Sequence, residues 1–436
     1  MFTEELMPPA GTTNGDAMTL TTESTETGRT EVQQFEEADV LDVDFYSFQQ
    51  RLTPEEQRSV AAIRDFLDRE VRPHADELWE KAQSPRHLIP GFAELGLFGA
   101  SWPETRQFEN SAVYRAWVAL EISRVDPSTA TFIGVHSGLA MNAIGVGGST
   151  EQREEWMQRM GRGEVIGAFG LTEPGHGSDT AKGLETTATR RTVDDGVGGT
   201  RDEWVLNGSK RWIGNAVFAD IVVIWARDTA DDQVKGFIVR QPAPGFTATK
   251  IERKQSLRGV ENADIVLEDV VVPESDRLAN INSFRDVAII LRLTRAEVAW
   301  QAIGVAVGAY EAALAYAKER QQFGKPIASF QLVQEKLANS LSNITASIAL
   351  CMRVSEMQDL GIQKDHHSAM AKAFATARMR EVVAWCREIM GGNGIQLDHG
   401  VARYFADAEA VYTFEGTYDM NTLIVGRSIT GIAAFV

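Results

Sequence analysis

The sequence predicts an α+β chain in three successive parts: an N-terminal α-helical domain, a central antiparallel β-barrel or sandwich, and a C-terminal antiparallel helix bundle. Three observations predict it. Helical periodicity with capping residues runs from Thr53 to about residue 161, and short β-type runs separated by turn residues follow to about Val272. Long amphipathic runs fill the remainder. The expected boundaries are 51–163, 164–281 and 282–436, with residues 1–50 standing apart.

Residues 1–50 carry eleven Asp or Glu against a single Arg, Arg29, and a Thr/Ser/Glu-rich tract from Thr19 to Thr30. That composition offers too little apolar surface to fold alone, so a disordered or loosely docked acidic leader is expected. It fits neither an Arg-rich transit segment nor a secretory signal, and Ala434-Phe435-Val436 is not a peroxisomal address. A cytoplasmic protein is the expectation. Thr53-Pro54-Glu55-Glu56 then reads as a capping box with Pro at the first helical position. Val60, Ile63, Leu67 and Val71 supply one apolar face, and Pro73 is expected to kink or divide that helix. Further helices are expected at about 88–95, 111–124, 130–145 and 150–161.

Eight short β runs are expected between Val165 and Val271. Two of them, Trp204–Leu206 and Lys210–Ile213, are joined in this reading by a type I′ turn at Asn207-Gly208, because that turn needs positive φ at both central positions. Helical runs follow at about 284–321, 329–361, 366–391, 398–408 and 419–431, with Gly391-Gly392-Asn393-Gly394 stopping the third. Short links between long helices favour antiparallel packing.

Composition narrows the function classes. Hydrophobic residues make up 44% and charged residues 24% of the chain, ordinary globular values. A formal charge of −18 argues against nucleic acid or anionic lipid as general partners. Cys351 and Cys386 fall in helical runs and fit buried thiols, and the seven His show no metal-ligand spacing. No uninterrupted apolar run reaches the roughly 18 residues of a membrane span.

Four stretches carry chemistry. Glu415 lies among Tyr412, Phe414 and Tyr418 before Gly416, with no cation as a near sequence neighbour. Such a carboxyl has a raised pKa suited to taking a proton from carbon, or it is simply a helix-capping carboxylate. The run Phe169-Gly170-Leu171-Thr172-Glu173-Pro174…Gly177-Ser178-Asp179 offers hydroxyls and a glycine-rich turn to a polar ligand or phosphate, or it is a plain strand-to-strand connection. Trp212, before Ile213 and Gly214, is either core or a flat wall for an aromatic ring. Arg320 suits a pyrophosphate, and Gln322 and Gln331 suit polar ring atoms, or all three are solvated side chains at a helix end.

Together and in this order, these stretches, Gly391-Gly392-Asn393-Gly394 and Glu415-Gly416-Thr417 resemble the acyl-CoA dehydrogenase family of flavoproteins from about residue 53 to the end. Within it they look most like the branch of glutaryl-CoA dehydrogenases and plant short-chain acyl-CoA oxidases. The resemblance implies FAD as cofactor and Glu415 as the base that removes the α-proton of an acyl-CoA, hydride leaving Cβ for flavin N5 to give a trans-2-enoyl-CoA, as in fatty acid β-oxidation. It implies that Phe169, Leu171, Thr172, Ser178, Trp212, Ile213, Gly214, Thr417 and Asp419 meet cofactor, Ser178 also meeting substrate. Gly416 would admit the thioester and Arg295 would approach CoA. Arg320, Gln331, Gly391 and Gly392 would meet the FAD of a neighbouring subunit, in a homodimer or homotetramer, and Gln322 would also bind cofactor. Electron-transfer flavoprotein or O2 is the implied acceptor.

Two positions depart from the pattern. Where glutaryl-CoA dehydrogenases hold the distal carboxylate with Arg, this chain has Ala130 followed by Thr131. A carboxylate buried without its cation is costly, so a short monocarboxylic acyl chain is expected and glutaryl-CoA is disfavoured. Where most dehydrogenases have a Thr or Ser reaching flavin N5, this chain has Gly214, as the short-chain oxidases do. Oxidation by O2 with peroxide release is therefore the second reading. A flavin-binding member without turnover is the third, and the retained Glu415 and Ser178 speak against it.

Overall fold

The computed structural model describes residues 43–434. The expected disordered leader falls on residues 1–42, outside the described residues, and its expected end at 50 comes too late. Val43 and Leu52 are buried in the main helical core, and Asp44 accepts the N–H groups of Phe48 and Gln49 at 2.7 and 2.8 Å to start a short turn of 3₁₀ helix. Acidic composition hid an ordered segment whose carboxylate is a cap.

Helix α1 (Pro54–Phe66) starts on the expected capping box: Glu56 N–H donates to Thr53 Oγ1 and Thr53 N–H to Glu56 Oε2. Ahead of Pro73 the helix widens into a π turn, Leu67–Val71, and continues as α2 (Arg72–Lys81). The wide turn absorbs the missing N–H and the bulk of the proline ring. Then come α3 (Ile89–Glu94), α4 (Ala112–Val125), α5 (Pro127–Ile133), α6 (Asn142–Gly147) and α7 (Thr150–Gly161). A second π turn, Gly134–Met141, joins α5 to α6.

The central part is a seven-stranded curled sheet of β1 (Gly167–Gly170), β2 (Thr187–Asp194), β3 (Thr200–Gly214), β4 (Ile221–Asp228), β5 (Val234–Arg240), β6 (Phe246–Lys250) and β7 (Asn262–Pro273), with the short helix α8 (Thr180–Gly183) after β1. The order is β1-β4-β2-β3-β7-β6, and β5 pairs with β4. The sheet is mixed where an antiparallel one was expected: β4 runs parallel to both β1 and β2. The β2–β3 hairpin intervenes in sequence, which lets β4 return alongside β1 in the same direction.

The expected turn at Asn207-Gly208 does not exist. β3 runs straight through it, paired with β2 on one side and β7 on the other, and the pair of residues absorbs a register shift against β7. Asn207 is held there by reciprocal bonds with Asp269, Asn207 Nδ2 to Oδ1 at 3.0 Å and Asp269 N–H to Asn207 Oδ1 at 2.8 Å. Two neighbouring strands satisfy the backbone, and a local turn preference loses to them. The hairpin turns instead at Asp195–Gly199.

The C-terminal helices are α9 (Phe284–Glu319), α10 (Gln331–Asp359), α11 (Asp365–Ile389), α12 (Val401–Thr413) and α13 (Tyr418–Thr430). By length and composition α9 is apolar enough to cross a membrane, but 78% of that window is buried inside the protein, as befits a core helix. Residues of α1 and α4 share one hydrophobic core with α9–α12, the Trp117 and Trp300 rings lying 5.9 Å apart. α4 and α9 cross closely: a Cβ on Gly304 would stand 2.3 Å from the Leu120 carbonyl oxygen. Only glycine permits that approach. Cys351 and Cys386 are free and buried, as expected.

Candidate active site

A cavity of about 780 Å³ opens where the two helical parts meet the sheet. The α12–α13 loop, α9, the π turn after α5, the loop after β1 and the end of β3 all line it. Glu415 stands in that first loop. Its backbone is left-handed, φ 55°, and Gly416 follows at φ 88°. A non-glycine residue held there is strained, on the order of 1–3 kcal/mol, so other contacts must hold the loop. Lys372, fully buried on α11, donates from Nζ to the carbonyls of Tyr412 at 2.7 Å and Gly416 at 2.8 Å. Asn421 Nδ2 donates to Gly416 and Thr417, and the Thr417 hydroxyl caps α13. Gly416 thus has a conformational reason of its own: its positive φ, and a Cβ there would lie 3.0 Å from Asn421 Nδ2.

Thr294 Oγ1 on α9 donates to Glu415 Oε2 at 2.6 Å. Burial pushes the Glu415 carboxyl above the usual glutamate range, while the Thr294 hydroxyl, Arg295 and Lys372 act against it. The sequence expectation of a wholly apolar setting is corrected here, because both cations arrive from distant helices. Among the described residues the Glu415 N–H has no acceptor. Arg295 lines the cavity with its buried Nε unpartnered.

The opposite wall comes from the sheet. Glu173 and Lys210 form a buried ion pair at 2.7 Å, and Glu173 also accepts the N–H groups of Glu185 and Thr186. Burial alone would raise Glu173; the Lys210 ammonium and these donors hold it below its usual range. The pair pins the loop carrying Thr172 and Ser178, whose hydroxyls have no partner among the described residues. Trp212 sits in a bulge of β3 at φ 65° and is 51% exposed on the cavity wall. The bulge throws its ring out of the sheet, so it is wall and not core.

Most predicted site residues meet in this cavity: Phe169, Leu171, Thr172, Ser178, Trp212, Ile213, Gly214, Arg295, Glu415, Gly416, Thr417 and Thr131 line it. Ala130 does not. It is 3% exposed, packed in the core beneath, because the phase of α5 turns Thr131 outward instead. Asp419 is exposed on the first turn of α13, outside the lining. Arg320, Gln322, Gln331, Gly391 and Gly392 are exposed at the far end of α9, roughly 40 Å along the helix from Thr294. Asn393 Nδ2 bonds the Tyr316 hydroxyl at 3.1 Å and so gathers Gly391 and Gly392 beside Arg320.

Sequence reasoning missed Thr294, Lys372, the Glu173–Lys210 pair, and Glu297 with Gln301. One signal was present: Thr294, Glu297 and Gln301 form a polar stripe at helical spacing beside the apolar run of α9.

Domain models of the acyl-CoA dehydrogenase family match along the chain: the N-terminal domain at residues 53–164, the middle domain at 168–270 and the C-terminal domain at 284–430. The chain is 33% identical to a 3-(aryl)acrylate reductase of Clostridium sporogenes, over 84% of this chain and 96% of that protein. A glutaryl-CoA dehydrogenase from Mycobacterium smegmatis, solved in complex with FADH2, superposes with a TM-score of 0.85 at 32% identity, covering 90% of this chain and 99% of that one. The butyryl-CoA dehydrogenase of Megasphaera elsdenii gives 0.81 at 30% identity, over 87% and 98%. Matched in three domains and at this identity along most of its length, the chain belongs to the acyl-CoA dehydrogenase family and is an oxidoreductase of that family.

Proposed function

We propose that the protein uses FAD to dehydrogenate a short, straight-chain, monocarboxylic acyl-CoA between Cα and Cβ, with Glu415 as the base. The observation that carries this reading is Glu415 itself: a carboxyl above its usual range, anchored by Thr294 on a strained loop, facing the Trp212 wall across one cavity. A raised pKa makes the carboxylate a stronger base, and the Thr294 bond fixes one oxygen and leaves the other to take the proton. The unpaired Glu415 N–H is available to the thioester oxygen, where enolate-like charge develops. Arg295 offers a cation to the CoA part.

The residues fit a flavin. Trp212 presents a half-exposed indole, and Thr172 and Ser178 present unpartnered hydroxyls. Bound FAD supplies the acceptor for the hydride from Cβ. The far cluster around Arg320 is too distant to serve the same cavity, which supports a homo-oligomer in which it serves another copy's cofactor. Phe323, 93% exposed beside it, supports the same reading. Anaerobic addition of butyryl-CoA should bleach the flavin absorbance; no bleaching with any acyl-CoA from C4 to C12 would overturn the proposal.

A second reading concerns the acceptor. A Cβ at Gly214 would lie 2.9 Å from Val135 Cγ2, so this wall is built around the absence of a side chain there. Peroxide formed stoichiometrically under air would decide for O2, and its absence for electron-transfer flavoprotein.

A further inference from the structure

The proposed proton transfer leaves one cavity carboxyl unused. Glu297 lies three residues beyond Thr294 on α9, on the same face and about 5 Å further along. Glu415 is anchored on Thr294. A chain with its α-carbon at Glu415 that runs along α9 from Thr294 towards Gln301 brings atoms three or four bonds further out to Glu297, at roughly 1.3 Å of advance per bond.

Glu297 is poorly satisfied. Among the described residues its one hydrogen bond is a long one, from Gln301 Nε2 at 3.3 Å, and no cation lies within ion-pair distance. The opposing π turn makes room for it. A Cβ on Gly138 would lie 2.8 Å from Glu297 Oε2, and one on Gly134 would lie 3.1 Å from Gln301 Nε2. Burial and the neighbouring charge of Glu415 push the Glu297 carboxyl up to about 7. An alkyl tail gives this group no partner and favours its neutral form, a cation draws out the carboxylate and pairs with it, and a terminal carboxylate meets a like charge.

We infer that the acyl chain ends in a nitrogen cation, an ammonium or guanidinium, which pairs with Glu297 and the Gln301 amide oxygen. Glu297 is then the specificity-determining residue of the acyl pocket. A guanidinium is the better match, because its planar donors bind a carboxylate in a two-pronged way. This rests on the acyl-CoA reading above.

The test compares 4-guanidinobutyryl-CoA with its uncharged isostere 4-ureidobutyryl-CoA, with hexanoyl-CoA and with glutaryl-CoA. Anaerobic flavin bleaching is read on the FAD-loaded protein, and Kd is read by calorimetry on the non-reacting Glu415→Gln variant. The guanidino thioester should bind at least about tenfold more tightly than hexanoyl-CoA, with the ureido compound between them and glutaryl-CoA weakest. Glu297→Gln, checked for retained FAD, should collapse the guanidino-to-ureido ratio towards one. Hexanoyl-CoA binding as well as the cation, or an unchanged ratio in Glu297→Gln, overturns the inference. If Glu297→Gln does not fold, the wild-type ranking decides. If butyryl- and hexanoyl-CoA bleach the flavin and the cation is rejected, this inference alone falls. If no thioester bleaches it, both readings fall together.

Discussion

At one end of α9, Thr294, Arg295 and Glu297 face a cavity, open on one side, that the Glu415 loop, Trp212 and Thr172 also line. At the other end, roughly 40 Å away, Arg320, Gln322 and Gln331 stand exposed beside Gly391 and Gly392. One helix thus presents a cavity walled by residues of its own chain and an exposed patch of charged and polar groups. The near end can shift a pKa because it excludes water; the far end can offer only contacts that a second molecule completes. Breaking each end separately should give different failures.

The largest effect is expected at the near end. Glu415→Gln keeps the shape and removes the base, so substrate-dependent flavin reduction should fall by about a thousandfold or more while FAD stays bound. A stopped-flow rate within tenfold of wild type would dissolve the contrast between the ends. Lys372→Met should come next. It removes two hydrogen bonds from a cation and strands the carbonyls of Tyr412 and Gly416, which together hold the strained loop. A 10- to 100-fold lower reduction rate at unchanged FAD content is expected, roughly 1.4–2.8 kcal/mol in barrier.

At the far end, Arg320→Ala should weaken FAD retention by about tenfold, measured by dialysis and flavin fluorescence, with little change in the rate per bound flavin. A changed rate at full FAD occupancy would place Arg320 in the near site after all. The smallest effect is expected for Gly214→Ser, which forces Val135 to move by a few tenths of an ångström. A several-fold change in reactivity with O2 should accompany it, and Val135→Ala in the same chain should relieve the strain.

The pH dependence sharpens the same comparison. Glu415 acts deprotonated and its carboxyl lies above the ordinary range. The reduction rate should therefore rise with pH through an apparent pKa above that of an exposed glutamate, and level off beyond it. FAD retention at the Arg320 end should not follow that curve. A reduction rate already flat from pH 4.5 upward would contradict the burial that distinguishes the near end.

Much of this was legible in the chain. The capping box at Thr53, the change of period near residue 165 and the long helices after 284 all depend on residues close in sequence, and each of the Thr172, Trp212, Arg320 and Glu415 stretches is itself a short run. Local hydrogen bonds and side-chain periodicity encode such features directly. The site's partners were not legible in this way. Thr294 reaches Glu415 across 121 positions and Lys372 reaches Gly416 across 44, through packing that no local pattern records.

By itself, then, the sequence determined the helical–β–helical order, because capping and periodicity are short-range properties, and the order of its motifs along the chain carried the resemblance that singled out Glu415. Only the tertiary structure decided that Asn207-Gly208 continues a strand between two others, that Ala130 faces the core while Thr131 faces the cavity, and that the sheet is mixed. It also set Thr294, Arg295, Lys372 and Glu297 around Glu415. Each of these depends on which surfaces are buried against one another, and burial sets both the backbone a residue adopts and the charge it can carry.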